Sequence, residues 1–114
     1  MKITDFIAQL RTKPTSITFK DTMSCIEENY AFTETAFQNG KTHNKAGENS
    51  GSCKLFAFAQ LNEFSQDETL ACFGDYYRKD VLEHPEGTNH ANIRNFMKFG
   101  WEGISFDGQA LSLV

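Results

Sequence analysis

The sequence has 114 residues, of which 39% are hydrophobic and 13% aromatic, and its formal net charge at pH 7 is -4. This length suits a single domain over residues 1–114 that buries a core of its own, and the aromatic content excludes a disordered chain. Because neither charge forms a long run, we expect no binding to nucleic acid and none to a membrane.

The cysteines and the first residues indicate the compartment. Cys25, Cys53 and Cys72 are odd in number, and their spacing fits neither a disulfide framework nor a zinc site. The first residues lack the apolar segment of a secretory signal, and no apolar run approaches the length that spans a membrane. We therefore expect a protein of a reducing cytoplasm, although export through a type III needle would need no cleaved signal either.

Two amphipathic helices are predicted in the first thirty residues. Thr4 can cap the first helix, which ends before Pro14. Ser16 or Thr18 opens the second helix, with Asp21 in its first turn. The buried face of the first helix consists of Ile3, Phe6, Ile7 and Leu10, and that of the second consists of Phe19, Met23, Ile26 and Tyr30.

A hairpin is predicted next, because residues 33–37 favour a strand and Asn39-Gly40 is a strong signal for a two-residue turn. The return strand, residues 41–44, is polar, which predicts an edge strand and a solvated His43. Residues 46–51 are rich in turn-forming residues and predict an irregular loop.

Two further helices are predicted in the centre of the chain. The third begins near Ser52 and is apolar around most of its axis, which is typical of a buried central helix. Ser65 and Glu68 fit a capping box for the fourth helix, whose apolar spacing continues to Val81. Gly74, inside this helix, predicts a close crossing with the third helix.

The last third of the chain predicts one more helix and one more hairpin. Thr88 or Asn89 caps the fifth helix, which Gly100 ends, and Asp107-Gly108 forms the turn of the hairpin. These elements predict an α+β fold in which about five helices pack with a small antiparallel sheet built from hairpins. A sheet curled toward a partial barrel is the alternative.

Four blocks of sequence carry a resemblance to a known family. They are GSCKLFAFAQ at residues 51–60, TLACFGDYYR at 69–78, HPEGTNH at 84–90 and NIRNFM at 92–97, followed by Gly100-Trp101 and FDGQAL at 106–111. In their order and spacing the chain resembles the HopJ type III effector family. The resemblance implies a bacterial protein that type III secretion injects into plant cells, and it implies no catalytic residues.

Cys53 is the candidate nucleophile, because a cysteine at the start of a helix can have its pKa lowered by the helix dipole. The local Gly-Ser-Cys pattern is similar to that around the nucleophile of papain-like proteases. His84 or His90 would then act as the base of a cysteine-dependent hydrolase or acyl transferase. The alternative is that Cys53 only fills a gap between packed helices.

The other hypothesis is an interaction or ligand-binding domain without chemistry of its own. Its site would lie at the loop of residues 47–52 and the turn of residues 84–90, because both are irregular and polar and join apolar helices. The partner would be a protein or a small molecule, and the sequence indicates no cofactor, no metal and no oligomeric state. The candidate binding residues are Glu48, Asn49, Ser52, Asn89 and Arg94.

Overall fold

A computed structural model describes all residues, 1–114. The α-helices are α1 (Ile3–Thr12), α2 (Phe19–Asn29), α3 (Ser50–Leu61), α4 (Gln66–Ala71) and α5 (Ala91–Phe99). The strands are β1 (Tyr30–Phe32), β2 (Phe37–Asn39), β3 (Thr42–Asn44), β4 (Ile104–Phe106) and β5 (Leu111–Leu113). Short 3-10 turns cover Pro14–Ser16 and Gly100–Gly103, and a π-helix covers Tyr76–Val81.

The strands form two antiparallel sheets, which confirms the predicted α+β class and gives no closed barrel. β1 pairs with β5, and the second sheet has the order β3-β2-β4. The first predicted hairpin exists with β3 at the edge, but Asn39 pairs with Thr42, so that the turn residues are Gly40 and Lys41. The second predicted hairpin is wrong, because β4 pairs with β2 whereas β5 pairs with β1.

α3 is the central helix, as its apolar sequence predicts. A core of 24 buried hydrophobic residues surrounds it, and Leu55, Phe56 and Phe58 are inaccessible to solvent. The Phe56 ring lies in the middle of the aromatic cluster, where it packs against Phe37, Phe73, Phe96 and Trp101. Phe58 packs in the same way against Phe6, Tyr30 and Phe64, and burial of such rings around α3 favours folding.

The fourth predicted helix is interrupted in the structure. α4 ends at Ala71, Gly74 has a positive φ of 63°, and the chain continues as the π-helix. The predicted crossing of Gly74 with the third helix is wrong, because its neighbour is the start of α2. A Cβ at Gly74 would lie 2.7 Å from the backbone nitrogen of Phe19, so only glycine allows this approach.

Of the helix N-caps predicted from the sequence, the two that form a capping box are confirmed and the other two are wrong. The capping boxes of Thr18 with Asp21 and of Ser65 with Glu68 are both present. The predicted caps of α1 and α5 are wrong, since α1 begins after Lys2 rather than at Thr4, and α5 begins after His90 rather than at Thr88 or Asn89. α5 ends just before Gly100, as predicted, and this glycine has a positive φ.

Candidate functional site

The starts of α3 and α5 lie on opposite rims of one cavity of about 370 Å³. Asn49, Gly51 and Ser52 form the first rim, and residues 90–93 form the second. The two loops that the sequence predicted as a binding site, residues 47–52 and 84–90, therefore both reach this cavity through their last residues. Of the remaining lining residues, three are the aromatic residues Phe19, Phe73 and Tyr76.

Both helices begin in the same unusual way. The residue before each helix, Asn49 or His90, has a left-handed backbone, with φ of 50° and 54°, and neither side chain caps its helix. The first N–H groups of a helix have no partner within it, and here Gly51 and Ser52 on one rim and Ala91 on the other donate to no protein atom. Hydrogen-bond donors therefore stand on both sides of the cavity.

Four asparagine side chains connect the two rims beneath the cavity. Asn49 donates to Asn44 Oδ1 at 2.7 Å, and Asn92 donates to the same oxygen at 3.0 Å. Asn44 and Asn39 donate in turn to Asn92 Oδ1 at 3.1 and 3.0 Å. Because three of these residues are buried and such amides are costly to leave unpaired, the network fixes α3 and α5 relative to each other.

The π-helix supplies the outer wall of the cavity. It carries Tyr76, whose ring centroid lies 5.3 Å from that of His90, and Asp80, whose Oδ2 lies 3.0 Å from His90 Nε2. The extra residue per turn of a π-helix often serves a site. Asp80 thus holds the His90 ring in one orientation, beside Tyr76 and at the rim of the cavity.

Cys53 lies in the core, below the rim and not in the cavity. Its side chain is 1% exposed, and its Sγ donates to the carbonyl oxygen of Thr35 at 3.4 Å. Burial raises the pKa of the Cys53 thiol, so the predicted lowering of this pKa is wrong. Cys53 is also the fourth residue of α3 and not the first, and it hydrogen-bonds to neither His84 nor His90.

We expect Cys53 in the native protein to react with iodoacetamide at least tenfold more slowly than in urea, because its sulfur is covered and its pKa is raised. Mass spectrometry of the alkylated peptides measures each cysteine separately. Cys72, whose pKa burial raises to about 12, serves as the internal control for an inert thiol. Rapid alkylation of native Cys53 near pH 7 would contradict this assignment.

The remaining predicted site residues lie outside the cavity. His84 is exposed, and Glu48 accepts a hydrogen bond from the Lys45 amide at 2.8 Å within its own loop. Asn89 Oδ1 accepts from Arg94 at 2.8 Å. The Arg94 guanidinium also donates to the carbonyl oxygens of His84 and Asn89. Arg94 therefore holds the turn before α5 in shape and has little left to offer a ligand.

Sequence reasoning missed the aromatic side chains of the cavity, Phe19, Phe73 and Tyr76, and the asparagine network. Phe19 is far from both loops in the chain, and Asn44 is far from the turn of residues 84–90, so only the tertiary fold brings these parts together. The one signal was Asn44 in the polar return strand, a residue type that is unfavourable in a strand unless its amide has a specific partner.

The structure contains no group of three histidine, cysteine, aspartate or glutamate side chains placed to hold a metal ion. None of its helices combines the length and the hydropathy needed to cross a membrane.

Comparison with known proteins gives a family and no activity. The chain matches a solved structure titled as a crystal structure of the unknown-function protein VPA0580, with 54% identity and a TM-score of 0.99. The match covers 100% of this chain and 95% of that one. Among proteins with curated descriptions, none matches this sequence significantly. The sequence model of the family described as HopJ type III effector protein matches residues 3–111, and the chain therefore belongs to the HopJ family.

Proposed function

We propose that the protein is a small-molecule-binding domain and that its site is the cavity between the starts of α3 and α5. The observation that carries this proposal is the convergence of two irregular loops on one cavity of about 370 Å³. This volume lies in the range of ligand pockets, and the lining combines apolar rings with a few polar groups, as such pockets do.

The geometry supports a binding function better than it supports catalysis by Cys53. A cysteine-dependent hydrolase needs an accessible thiolate next to a base, whereas the Cys53 thiol is covered and donates to a backbone oxygen. The imidazole at the rim, His90, faces Asp80 and Tyr76 and not a thiol. Its role in this proposal is to shape the wall of the site.

A fragment screen by ¹⁵N NMR tests the proposal. We expect the fragments that bind to shift the amide signals of Gly51, Ser52 and Ala91, since these residues line the cavity and their N–H groups have no protein partner. Ala91 is exposed at the rim, and Ala91→Trp should narrow the entrance and weaken binding at least tenfold. The control is Ala8→Trp, the same change at an exposed position of α1.

If fragments bind Ala91→Trp as well as they bind the original protein, or shift only signals elsewhere, the cavity is not the site. Both tryptophan variants are compared by thermal unfolding, so that weaker binding is not confused with loss of the fold.

We also propose, on the description of the family alone, that the protein is made in the bacterial cytoplasm and exported by type III secretion without a cleaved signal. Needle-dependent export of a reporter fused to its first residues would support this localisation, and equal export by a strain without a needle would contradict it.

A further inference from the structure

Four aromatic side chains form a continuous wall on one side of the cavity, here called the aromatic wall: Phe19, Phe73, Tyr76 and His90. The Phe19 and Tyr76 rings meet edge to face, with centroids 5.2 Å apart, and Tyr76 meets His90 at 5.3 Å. Phe73 lies nearly parallel to Phe19, at 6.2 Å with an interplanar angle of 13°. The wall joins α2, the segment around Gly74, the π-helix and the start of α5.

Two rings of this wall, those of Phe73 and His90, are held in place by neighbouring residues. Phe73 is 2% exposed and packs against Phe56 in the core, at 5.5 Å. The hydrogen bond that Asp80 Oδ2 accepts from His90 Nε2 fixes the His90 ring. In contrast, Tyr76 is 45% exposed although it is a large aromatic residue. The wall thus offers a ligand the exposed ring of Tyr76 beside the half-buried Phe19 and His90 rings, with Phe73 packed beneath them, and aromatic rings pair with one another edge to face or in offset stacks.

The wall is also open on a second side. A neighbouring groove of about 430 Å³ shares Phe19, Phe73 and Tyr76 with the cavity and continues along α2 to Met23. A ring that lies on Tyr76 at the cavity side therefore has apolar surface beside it, and a substituent can extend into the groove.

We infer that the ligand of this cavity carries a planar aromatic ring that packs against the aromatic wall. This inference rests on the proposed function, because it names the ligand class for the same cavity. The volume of the cavity suits a compound of one or two rings. The polar residues of the opposite rim, Asn49 and Ser52, then face the hydrogen-bonding substituents of the ring.

Aromatic residues also line sites for organic cations, and the charges here disfavour that occupant. None of the eleven residues that line the cavity is acidic; Asp75 lines only the neighbouring groove, and Asp80 is paired with His90. The helix starts at the two rims carry partial positive charge, which opposes a cation in the cavity. A neutral or anionic aromatic ligand does not meet this opposing charge. The experiment below includes an organic cation, so that binding of a cation would be detected.

Three probes distinguish the occupants by NMR titration: benzoate, its saturated counterpart cyclohexanecarboxylate, and tetramethylammonium. We expect benzoate to shift the amides of Ser52 and Ala91 and to bind at least fivefold more tightly than the other two probes. Tyr76→Phe should keep this preference within twofold, and Tyr76→Leu, which keeps apolar bulk without a ring, should abolish it. Leu61→Ala, at an exposed position that lines neither space, is the control and should change nothing.

The outcomes separate the two proposals. If cyclohexanecarboxylate or tetramethylammonium binds the cavity as tightly as benzoate, or if Tyr76→Leu keeps the preference, the aromatic-ring inference is overturned and the binding function stands. If neither these probes nor the fragment screen shifts any signal of the cavity, the proposed function fails and the inference fails with it. Thermal unfolding of each variant confirms that the fold is retained.

Discussion

Phe56→Ala is expected to lower the free energy of unfolding by about 3–5 kcal/mol, the usual cost of removing a buried phenylalanine ring. Phe56 is inaccessible to solvent, and its ring centroid lies 5.0 Å from that of Phe96 and 5.5 Å from that of Phe73. Its removal would leave a cavity between α3, α5 and the segment before the π-helix. Small domains have only about 5–15 kcal/mol of stability, so this variant should be close to unfolding.

Urea denaturation followed by circular dichroism measures this loss. Phe56→Leu retains most of the apolar volume and is expected to cost clearly less than Phe56→Ala. Leu61→Ala, at an exposed position of the same helix, is the matched control and should change stability by less than about 0.5 kcal/mol. A loss below about 1 kcal/mol for Phe56→Ala would contradict the central position assigned to this ring.

Gly74→Ala is the second change with a large expected effect, a loss of more than about 2 kcal/mol. The left-handed conformation of Gly74, with φ of 63°, costs an alanine about 1–2 kcal/mol. The added Cβ would also lie 2.7 Å from the nitrogen of Phe19 and 3.1 Å from Thr18 Cα. These are backbone atoms at the start of α2, which cannot move aside as a flexible side chain can.

Gly108→Ala is the control for Gly74→Ala, because a Cβ there meets only Thr35 Cγ2, at an ordinary 3.8 Å. Its effect on stability should stay within about 0.5 kcal/mol in urea denaturation. Gly74→Ala should also weaken ligand binding, since it displaces Phe19 of the aromatic wall. Equal stability of the two variants would show that α2 does not approach Gly74 as closely as described.

Helices and their local signals could be predicted from this sequence because the information is carried by residues three or four positions apart. The capping boxes of Thr18 and Ser65 are examples. The interruption of the fourth helix could not be predicted, because the apolar spacing of Leu70, Phe73 and Tyr77 continues across it. The break at Gly74 is imposed by the approach of α2, which is a contact between distant parts of the chain.

Strand pairing was less predictable for the same reason. Asp107-Gly108 has the local chemistry of a hairpin turn, but the strands on its two sides pair with β2 and β1 in different sheets. Short strands of three residues carry too little pattern to select a partner. What selects it is the packing of β5 against α3 and of β2 and β3 against α5, which the sequence does not show locally.

The candidate site was predictable in outline only. The irregular loops before α3 and α5 predicted a binding site at their ends, and three of the predicted residues, Asn49, Ser52 and His90, line the cavity of the proposed site. The position of Cys53 was misjudged, because the helix begins at Ser50 and the fourth residue of the helix turns toward the core. A shift of two residues in a helix start rotates a side chain from the rim to the interior.

The asparagine network beneath the cavity has a consequence for the way in which a ligand is received. Asn44 and Asn92 join both rims before any ligand arrives, so the entropy of arranging them has already been lost during folding. Binding to such a preorganised site needs little further ordering of the protein, and its backbone should differ by less than about 1 Å between the free and the occupied state.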